Sequence, residues 1–243
     1  MASIIARNVT LNLPVAASKK LQASDQDRYF VEQGRALLRV LSEVSFEAAA
    51  GDRIGIVGRN GSGKSTLLRV IAGIYRPNAG RVSIAGRPDC LFTVNMGMQP
   101  ELSGRENIFL RGIFTGKTHR EVAAKVDEIV AFAELENFID LPLRTYSSGM
   151  STRLAFSIST AFSPDILLLD EWIGAGDSQF QKKAAARMQD LVSDARITVL
   201  ASHNQSLITR VCNRVIWLHK GKLKAFGPTD EVYKAHDTFF SVS

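Results

Sequence analysis

The sequence predicts an α/β core interrupted by a helical insertion. Three observations point there. The apolar run Ile54–Val57 leads through a glycine-rich loop into an apolar helix. Strand-like and helix-like segments alternate again from Ile166 to Phe226. Between them, from about Pro100 to Phe162, the texture becomes helical.

The elements follow in order. Ser3–Leu13 alternates loosely and reads as a strand. Pro14–Gly34 is polar, carries Lys and Asp clusters and has no period, so it reads as a long loop or an irregular insertion. Leu41–Gly58 reads as two strands joined by a hairpin turn at Gly51-Asp52. The second ends in Ile54–Val57, whose unbroken apolarity marks a strand covered on both faces. A helix is expected from about Lys64 to Ala72, stopped by Gly73 and Pro77. Strands follow at Arg81–Ala85 and Cys90–Val94. The insertion carries three expected helices, Ser103–Ile113, Arg120–Ala133 and Gly149–Phe162. Ser103 and Thr118 are the expected caps, and Thr118-His119-Arg120-Glu121 fits a capping box. Beyond it come a buried strand at Ile166–Leu169, a helix at Gln179–Val192, a strand at Ile197–Ala201 and a helix at Gln205–Cys212. A hairpin about Lys220-Gly221 joins Arg214–His219 to Lys222–Phe226, and a last helix covers Asp230–Ala235. No internal repeat is visible.

Composition narrows the function classes. The chain has 243 residues, 45% of them hydrophobic, enough for a real core in one or two domains. A charged fraction of 22% excludes a disordered tail. The net charge is +6, but Lys and Arg are interleaved with Asp and Glu, so no basic stripe marks a nucleic-acid partner. A mildly basic face suits an anionic ligand or the cytoplasmic leaflet equally well. Cys90 and Cys212 lie in no metal-ligand spacing and read as small buried residues of a reducing compartment. The N-terminus lacks the pattern of a signal peptide, and no run approaches the roughly 18 apolar residues of a spanning helix. The expectation is a chain soluble by itself that meets a membrane only through a partner.

The glycine-rich loop carries the chemistry. Gly58-Arg59-Asn60-Gly61-Ser62-Gly63-Lys64-Ser65 fits the phosphate-binding pattern of a glycine, a four-residue gap, then Gly-Lys-Ser, followed here by Thr66. Gly58, Gly61 and Gly63 let the backbone curl so that successive N–H groups face phosphate oxygens. The helix that follows adds its positive end. Lys64 supplies a mobile charge for the outer phosphates, and Ser65 offers a hydroxyl to Mg²⁺. Ile166-Leu167-Leu168-Leu169-Asp170-Glu171 is an apolar strand ending in two carboxylates. Placed beside the loop, Asp170 holds Mg²⁺ through water and Glu171 polarises the attacking water as general base. Tyr146-Ser147-Ser148-Gly149-Met150 opens an apolar helix and is a second anion site by the same helix-end physics. One nucleotide needs a single cradle, so a second phosphate site points to a dimer with two shared nucleotides.

These segments resemble, over essentially the whole length, the nucleotide-binding subunit of an ATP-binding-cassette transporter. Gly58–Ser65 resembles its Walker A loop, Ile166–Glu171 its Walker B strand with the catalytic glutamate, and Tyr146–Met150 its signature motif, with Ser147, Ser148, Gly149 and Met150 the nucleotide-binding residues so implied. Asp177, in Ala175-Gly176-Asp177, falls at the D-loop, and His203 resembles the switch histidine. The resemblance implies a P-loop NTPase cassette with a RecA-like core at about 1–97 and 163–243, an antiparallel β subdomain and a helical subdomain at about 98–162. It implies ATP and Mg²⁺ as cofactors and a homodimer in which each ATP lies between Walker A of one subunit and the signature of the other. It also implies an integral-membrane partner, itself a dimer.

Variants within the motifs sharpen the resemblance. The signature Tyr-Ser-Ser-Gly-Met and the block Pro100-Glu101-Leu102-Ser103-Gly104-Arg105-Glu106-Asn107 are similar to the subfamily that exports O-antigen, capsule and teichoic acid. The cargo so implied is a lipid-linked glycan, met through the membrane partner at the cytoplasmic face of a bacterial inner membrane. Some members carry a C-terminal carbohydrate-binding domain; this sequence, ending at Ser243, is expected to have none. Two departures stand out. Gln99 directly precedes Pro100, whereas the family's coupling-loop glutamine lies several residues earlier, so that role is not carried over. Leu13 stands where an adenine-stacking aromatic is expected, with Tyr29 and Phe30 the nearby aromatics. Phe109, Phe114 and Phe132 are candidates to dock a membrane subunit, with core packing the alternative for each. Rival readings are the ATPase of another cassette exporter, a soluble cassette ATPase, and a binding module without turnover. The soluble class usually has two cassettes or a long coiled coil, and Glu171 argues for turnover.

Overall fold

The computed structural model describes residues 1–15, 27–91, 97–171 and 178–241. They form two compact units, one of Met1–Cys90, Asp165–Trp172 and Arg196–Ser243, the other of Leu91–Pro164 and Ile173–Ala195.

The first unit is built on a sheet. Its strands are β1 (Ser3–Pro14), β2 (Tyr29–Glu32), β3 (Arg35–Ala49), β4 (Arg53–Val57), β5 (Ala79–Ala85), β6 (Pro88–Leu91), β7 (Ile166–Asp170), β8 (Ile197–Ala201), β9 (Arg214–His219) and β10 (Lys222–Pro228). They are ordered β5-β1-β3-β10-β9-β4-β8-β7-β6, with β2 paired to β3. Strands β9, β4, β8 and β7 run parallel. Their apolar runs are buried almost end to end, as strands covered on both faces require. Strands β1, β3, β5 and β2 pair antiparallel. The long β1–β3 pair is bent by register shifts around Asn8 and Glu43, both at positive φ. Side chains supply acceptors there: Asn8 N–H donates to Ser45 Oγ at 2.7 Å and Glu43 N–H to Thr10 Oγ1 at 3.1 Å.

Two turns differ from the sequence expectation. Gly51-Asp52 does not close a hairpin, because β3 and β4 are separated by β10 and β9 in the sheet. It carries the chain from the antiparallel to the parallel part, and Asp52 fixes the turn by accepting from Ala49 N–H at 2.8 Å and Arg214 at 3.0 Å. Conversely, residues 27–34, expected as loop, contain β2 and a true two-residue hairpin at Gln33-Gly34, both at positive φ.

The first unit also holds α1 (Lys64–Ile71), α7 (Gln205–Val211) and α8 (Thr229–Ser241). The second unit is helical: α2 (Gly104–Phe114), α3 (His119–Ala123), α4 (Val126–Ala133), α5 (Ser148–Ser159) and α6 (Ser178–Asp194). The single helix expected over Arg120–Ala133 is two, α3 and α4, meeting at Ala124-Lys125. Ser103 and Thr118 both form complete capping boxes, with Glu106 and Glu121. Ile108, Val122, Ile129, Leu135, Leu154 and their neighbours make the core of this unit. Helix α6, which the sequence alone groups with the α/β core, belongs here: Phe180 packs edge-on against Phe132 at 5.6 Å and Phe156 at 5.9 Å. Lys183 donates to Phe132 O at 2.9 Å, and Arg187 pairs with Glu128.

The block Ser103–Asn107 has a structural account. Asn107 is fully buried and satisfied on every side: Oδ1 accepts from Gln99 N–H at 2.7 Å, and Nδ2 donates to the carbonyls of Gln99, Leu102 and Ser103. It pins residues 99–103 onto α2. A Cβ on Gly104 would lie 2.4 Å from Tyr146 Oη, so only glycine allows that approach. Arg105 pairs with Asp140 at 2.7 Å on the surface.

Candidate functional site

The site gathers at the C-terminal ends of the parallel strands, where open α/β sheets place their ligands. After β4 the chain turns through Gly58–Gly63 into α1. Gly58, Gly61 and Gly63 adopt φ of 147°, 76° and 104°. A Cβ on Gly58 would lie 2.2 Å from Leu218 O, and one on Gly63 2.9 Å from Leu41 Cδ2, so the curl is packed from outside. Two further hydrogen bonds brace it. Gly221 N–H, at the β9–β10 tip, donates to Ser62 O at 3.0 Å, and Arg28 Nη1 donates to Gly61 O at 3.1 Å.

Lys64 lies inside this loop, with Nζ donating to Gly58 O at 2.9 Å. Burial pushes its pKa below the ordinary 10.5, while Glu171 and Asp170 pull the other way. The α1 N-terminus has no side-chain cap, which leaves its first N–H groups facing the loop without a side-chain acceptor. Ser62 Oγ is buried with no hydrogen-bond partner among the described residues.

Strand β7 delivers the carboxylates. Ser65 Oγ donates to Asp170 Oδ1 at 2.8 Å, joining the loop to the strand end. Glu171, the next residue, is exposed and held at φ 72°, an unusual conformation for a non-glycine residue. Its N–H donates to Ala201 O at 2.8 Å. Its carboxylate accepts from Ser202 Oγ at 2.8 Å and His203 N–H at 3.2 Å. A cavity of about 390 Å³ is lined by Asn60, Gly61, Gly63, Lys64, Ser65, Thr66, Asp170, Glu171 and His203. Arg59 is exposed on the loop. Thus Asn60, Gly61, Gly63, Lys64, Ser65 and Thr66 of the loop meet Asp170, Glu171 and His203 around one opening, with Gly58, Arg59 and Ser62 outside its lining.

The remaining expected residues sit elsewhere. Ser147 caps α5 in the helical unit, its Oγ accepting from Met150 N–H at 3.2 Å, with Ser148 exposed and Gly149 in the first turn. Asp177 lies outside the described residues. Leu13 pairs with Leu38, which on its other side pairs with Tyr29, so the three form one row across β1, β3 and β2. Phe30 lies under the Arg39 guanidinium at 5.2 Å. Of the docking candidates, Phe132 is packed in the aromatic trio and Phe109 stacks on His119 at 4.6 Å. Phe114 is 73% exposed. Sequence reasoning missed Ser202 and Arg28. A small polar residue between a buried strand and a histidine was the only signal for Ser202; Arg28, in an aperiodic stretch, gave none.

A curled glycine loop opening a helix, with a lysine inside it and a serine–aspartate pair across it, defines a P-loop nucleotide-binding protein. Residues 41–174 match the ABC transporter family, and the chain belongs to it. It is 42% identical over 229 residues to the O-antigen export system ATP-binding protein RfbE of Yersinia enterocolitica, covering 91% of this chain and 96% of that protein. It is 45% identical over 197 residues to RfbB of Myxococcus xanthus, also an O-antigen export system ATP-binding protein, but spans only 45% of that protein. It is 41% identical over 199 residues to the teichoic acids export ATP-binding protein TagH of Lactococcus lactis, spanning 42% of it. Among solved structures, an ATP-binding subunit of an ABC transporter shares the fold at TM-score 0.70 and 20% identity, over 96% of this chain and 93% of the other. A dimeric ATP-binding cassette bound to ADP and phosphate does so at TM-score 0.66 and 23% identity, over 93% and 98%.

Proposed function

We propose that this chain is the ATP-hydrolysing subunit of an exporter that moves a lipid-linked polysaccharide of the O-antigen class across a bacterial inner membrane. It works as a homodimer at the cytoplasmic face, held there by an integral-membrane subunit that meets the glycan. The cassette is one nucleotide-binding domain with an α/β core and a helical subdomain.

The Ser65–Asp170 hydrogen bond beside Glu171 carries the hydrolytic reading. It sets a hydroxyl, a metal-binding carboxylate and a base side by side at the mouth of the loop. The cradle fits a nucleotide: Lys64 is buried against the loop carbonyls, the α1 N–H groups lack a side-chain cap, and the curl excludes any Cβ at Gly58. ATP, when bound, supplies the phosphoanhydride bond that is cleaved. N–H groups of the glycine loop and of the first turn of α1 would hold the phosphates with Lys64 Nζ, which would exchange its loop carbonyls for them. Ser65 and Asp170, already paired by a hydrogen bond, would hold Mg²⁺, which would neutralise the phosphate charge. Glu171 takes the proton of the attacking water, and His203 lies across the opening. In the dimer, Ser147, Ser148, Gly149 and Met150 of the partner's α5 would close over the same phosphates.

The relatives support the cargo. The Yersinia O-antigen protein is matched almost end to end, whereas the Myxococcus O-antigen and Lactococcus teichoic acid proteins are each spanned to less than half. Purified chain should hydrolyse ATP only with Mg²⁺, and Glu171→Gln should lower that rate about 10²–10³-fold, the scale of losing a positioned base. Equal rates would remove Glu171 from the reaction. Deleting the gene from the source bacterium should leave lipid-linked glycan inside the cell; unchanged surface polysaccharide would assign the chain to another cassette exporter.

A further inference from the structure

We infer that Ser202 is the positioning residue of the hydrolytic base: the β8–α7 turn grips Glu171 through it and sets where the carboxylate points. The inference rests on Glu171 being that base, and it adds what holds it.

Glu171 is an awkward residue to place. It follows the last residue of β7, is exposed, and sits at φ 72°, where a β-carbon is unfavourable. Such strain persists only where neighbouring structure over-determines it. Here three hydrogen bonds do so, all from one short stretch. Glu171 N–H donates to Ala201 O at 2.8 Å, Ser202 Oγ donates to Oε2 at 2.8 Å, and His203 N–H donates to Oε1 at 3.2 Å. Backbone fixes the first and third. Ser202 is the one side chain of the three, and it is 2% exposed, so little solvent competes with it.

The hydroxyl is itself oriented. Ser202 Oγ accepts from Asn204 N–H at 3.2 Å, which directs its proton toward Glu171. Asn204 in turn caps α7, its Oδ1 accepting from Leu207 N–H at 3.0 Å. A chain of fixed donors therefore runs from the start of α7 through Asn204 and Ser202 to the carboxylate. Each carboxylate oxygen has two lone-pair sites, so one donor on each leaves room to accept a proton from water. Glu171 also lies between two openings: the phosphate-loop cavity and a second cavity of about 390 Å³ lined by Ser202, Asn204, Ser206, Leu207 and Arg210. Without the Ser202 bond the side chain has space on both sides, and Oε2 loses its one side-chain donor among the described residues.

The test is steady-state ATPase of the purified full chain with Mg-ATP. Ser202→Ala should lower kcat about 10-fold or more while KM for Mg-ATP stays within about 2-fold, since geometry rather than binding is lost. Ser202→Thr, which keeps the hydroxyl, should recover most of the rate. In a Glu171→Gln background, Ser202→Ala should cost nothing further, because the two residues act as one unit. An unchanged or raised kcat in Ser202→Ala overturns the inference, as does an equal loss in the Glu171→Gln background. Should alanine leave no folded protein, Ser202→Cys gives the same comparison. Glu171→Gln by itself reports on the base, so a full rate in that variant sinks the hydrolytic reading instead.

Discussion

At the scale of single residues, sterics and satisfied polar groups make the sharpest statements. Gly58→Ala drives a methyl to within 2.2 Å of Leu218 O at φ 147°. We expect it to cost at least about 2 kcal/mol, to lower Tm by several degrees, and to weaken ATP binding more than 10-fold by fluorescence titration. Asn107→Ala removes the acceptor of Gln99 N–H and one of two donors from the carbonyls of Gln99, Leu102 and Ser103, each of which keeps a backbone N–H. It should cost about 2–3 kcal/mol, with faster amide exchange confined first to residues 99–103. The sequence made Lys64, Ser65, Asp170 and Glu171 legible because their roles follow from linear spacing around one loop and one strand end. Ser202 and Arg28 were not legible that way. Each acquires its role only when distant strands or loops meet, Ser202 where β8 ends beside β7, Arg28 where residues 27–34 fold back on Gly61.

At the scale of elements, helix pairing in the second unit is tightly specified. A Cβ on Gly112 would lie 2.2 Å from Val122 Cγ2, so α2 and α3 touch through a glycine. Gly112→Ala should cost about 1–3 kcal/mol by overpacking, and Val122→Ala in the same chain should restore most of it, as read by thermal unfolding. Helices α4 and α6 are joined by charge. Burial pushes the Glu128 pKa up, but hydrogen bonds from Lys125 and Arg187 outweigh that and hold it below the ordinary 4.5. A lowered carboxylate stabilises the fold above its unfolded value and stops doing so as pH falls through the folded one. Glu128→Gln should therefore lower stability slightly near neutrality, by no more than about 1 kcal/mol for a partly exposed pair, read as a small drop in Tm, and have no effect once both states are protonated in acid. Element types were largely readable from period and caps. Strand partners were not: Gly51-Asp52 has hairpin chemistry, yet the sheet inserts β10 and β9 between its strands. Gln33-Gly34 lacks the usual Asn or Asp and went unread, although it closes a real hairpin.

At the scale of the whole molecule, a second copy is expected to complete each nucleotide site. Glu171→Gln incubated with Mg-ATP should elute at twice the monomer mass by light scattering. Adding Ser148→Arg, a bulky cation at the exposed start of α5, should return it to monomer. A monomer in the first case, with nucleotide bound, would overturn the shared-site arrangement. The brace between the phosphate loop and the β9–β10 tip has a genetic consequence. Gly221 sits at φ 77°, any Cβ there would lie 2.4 Å from Val40 O, and its N–H holds Ser62. A random screen for export-null alleles should thus return lesions at codon 221 alongside those at codons 58–65, and reversion of the former should require glycine itself, because every atom in the way is backbone.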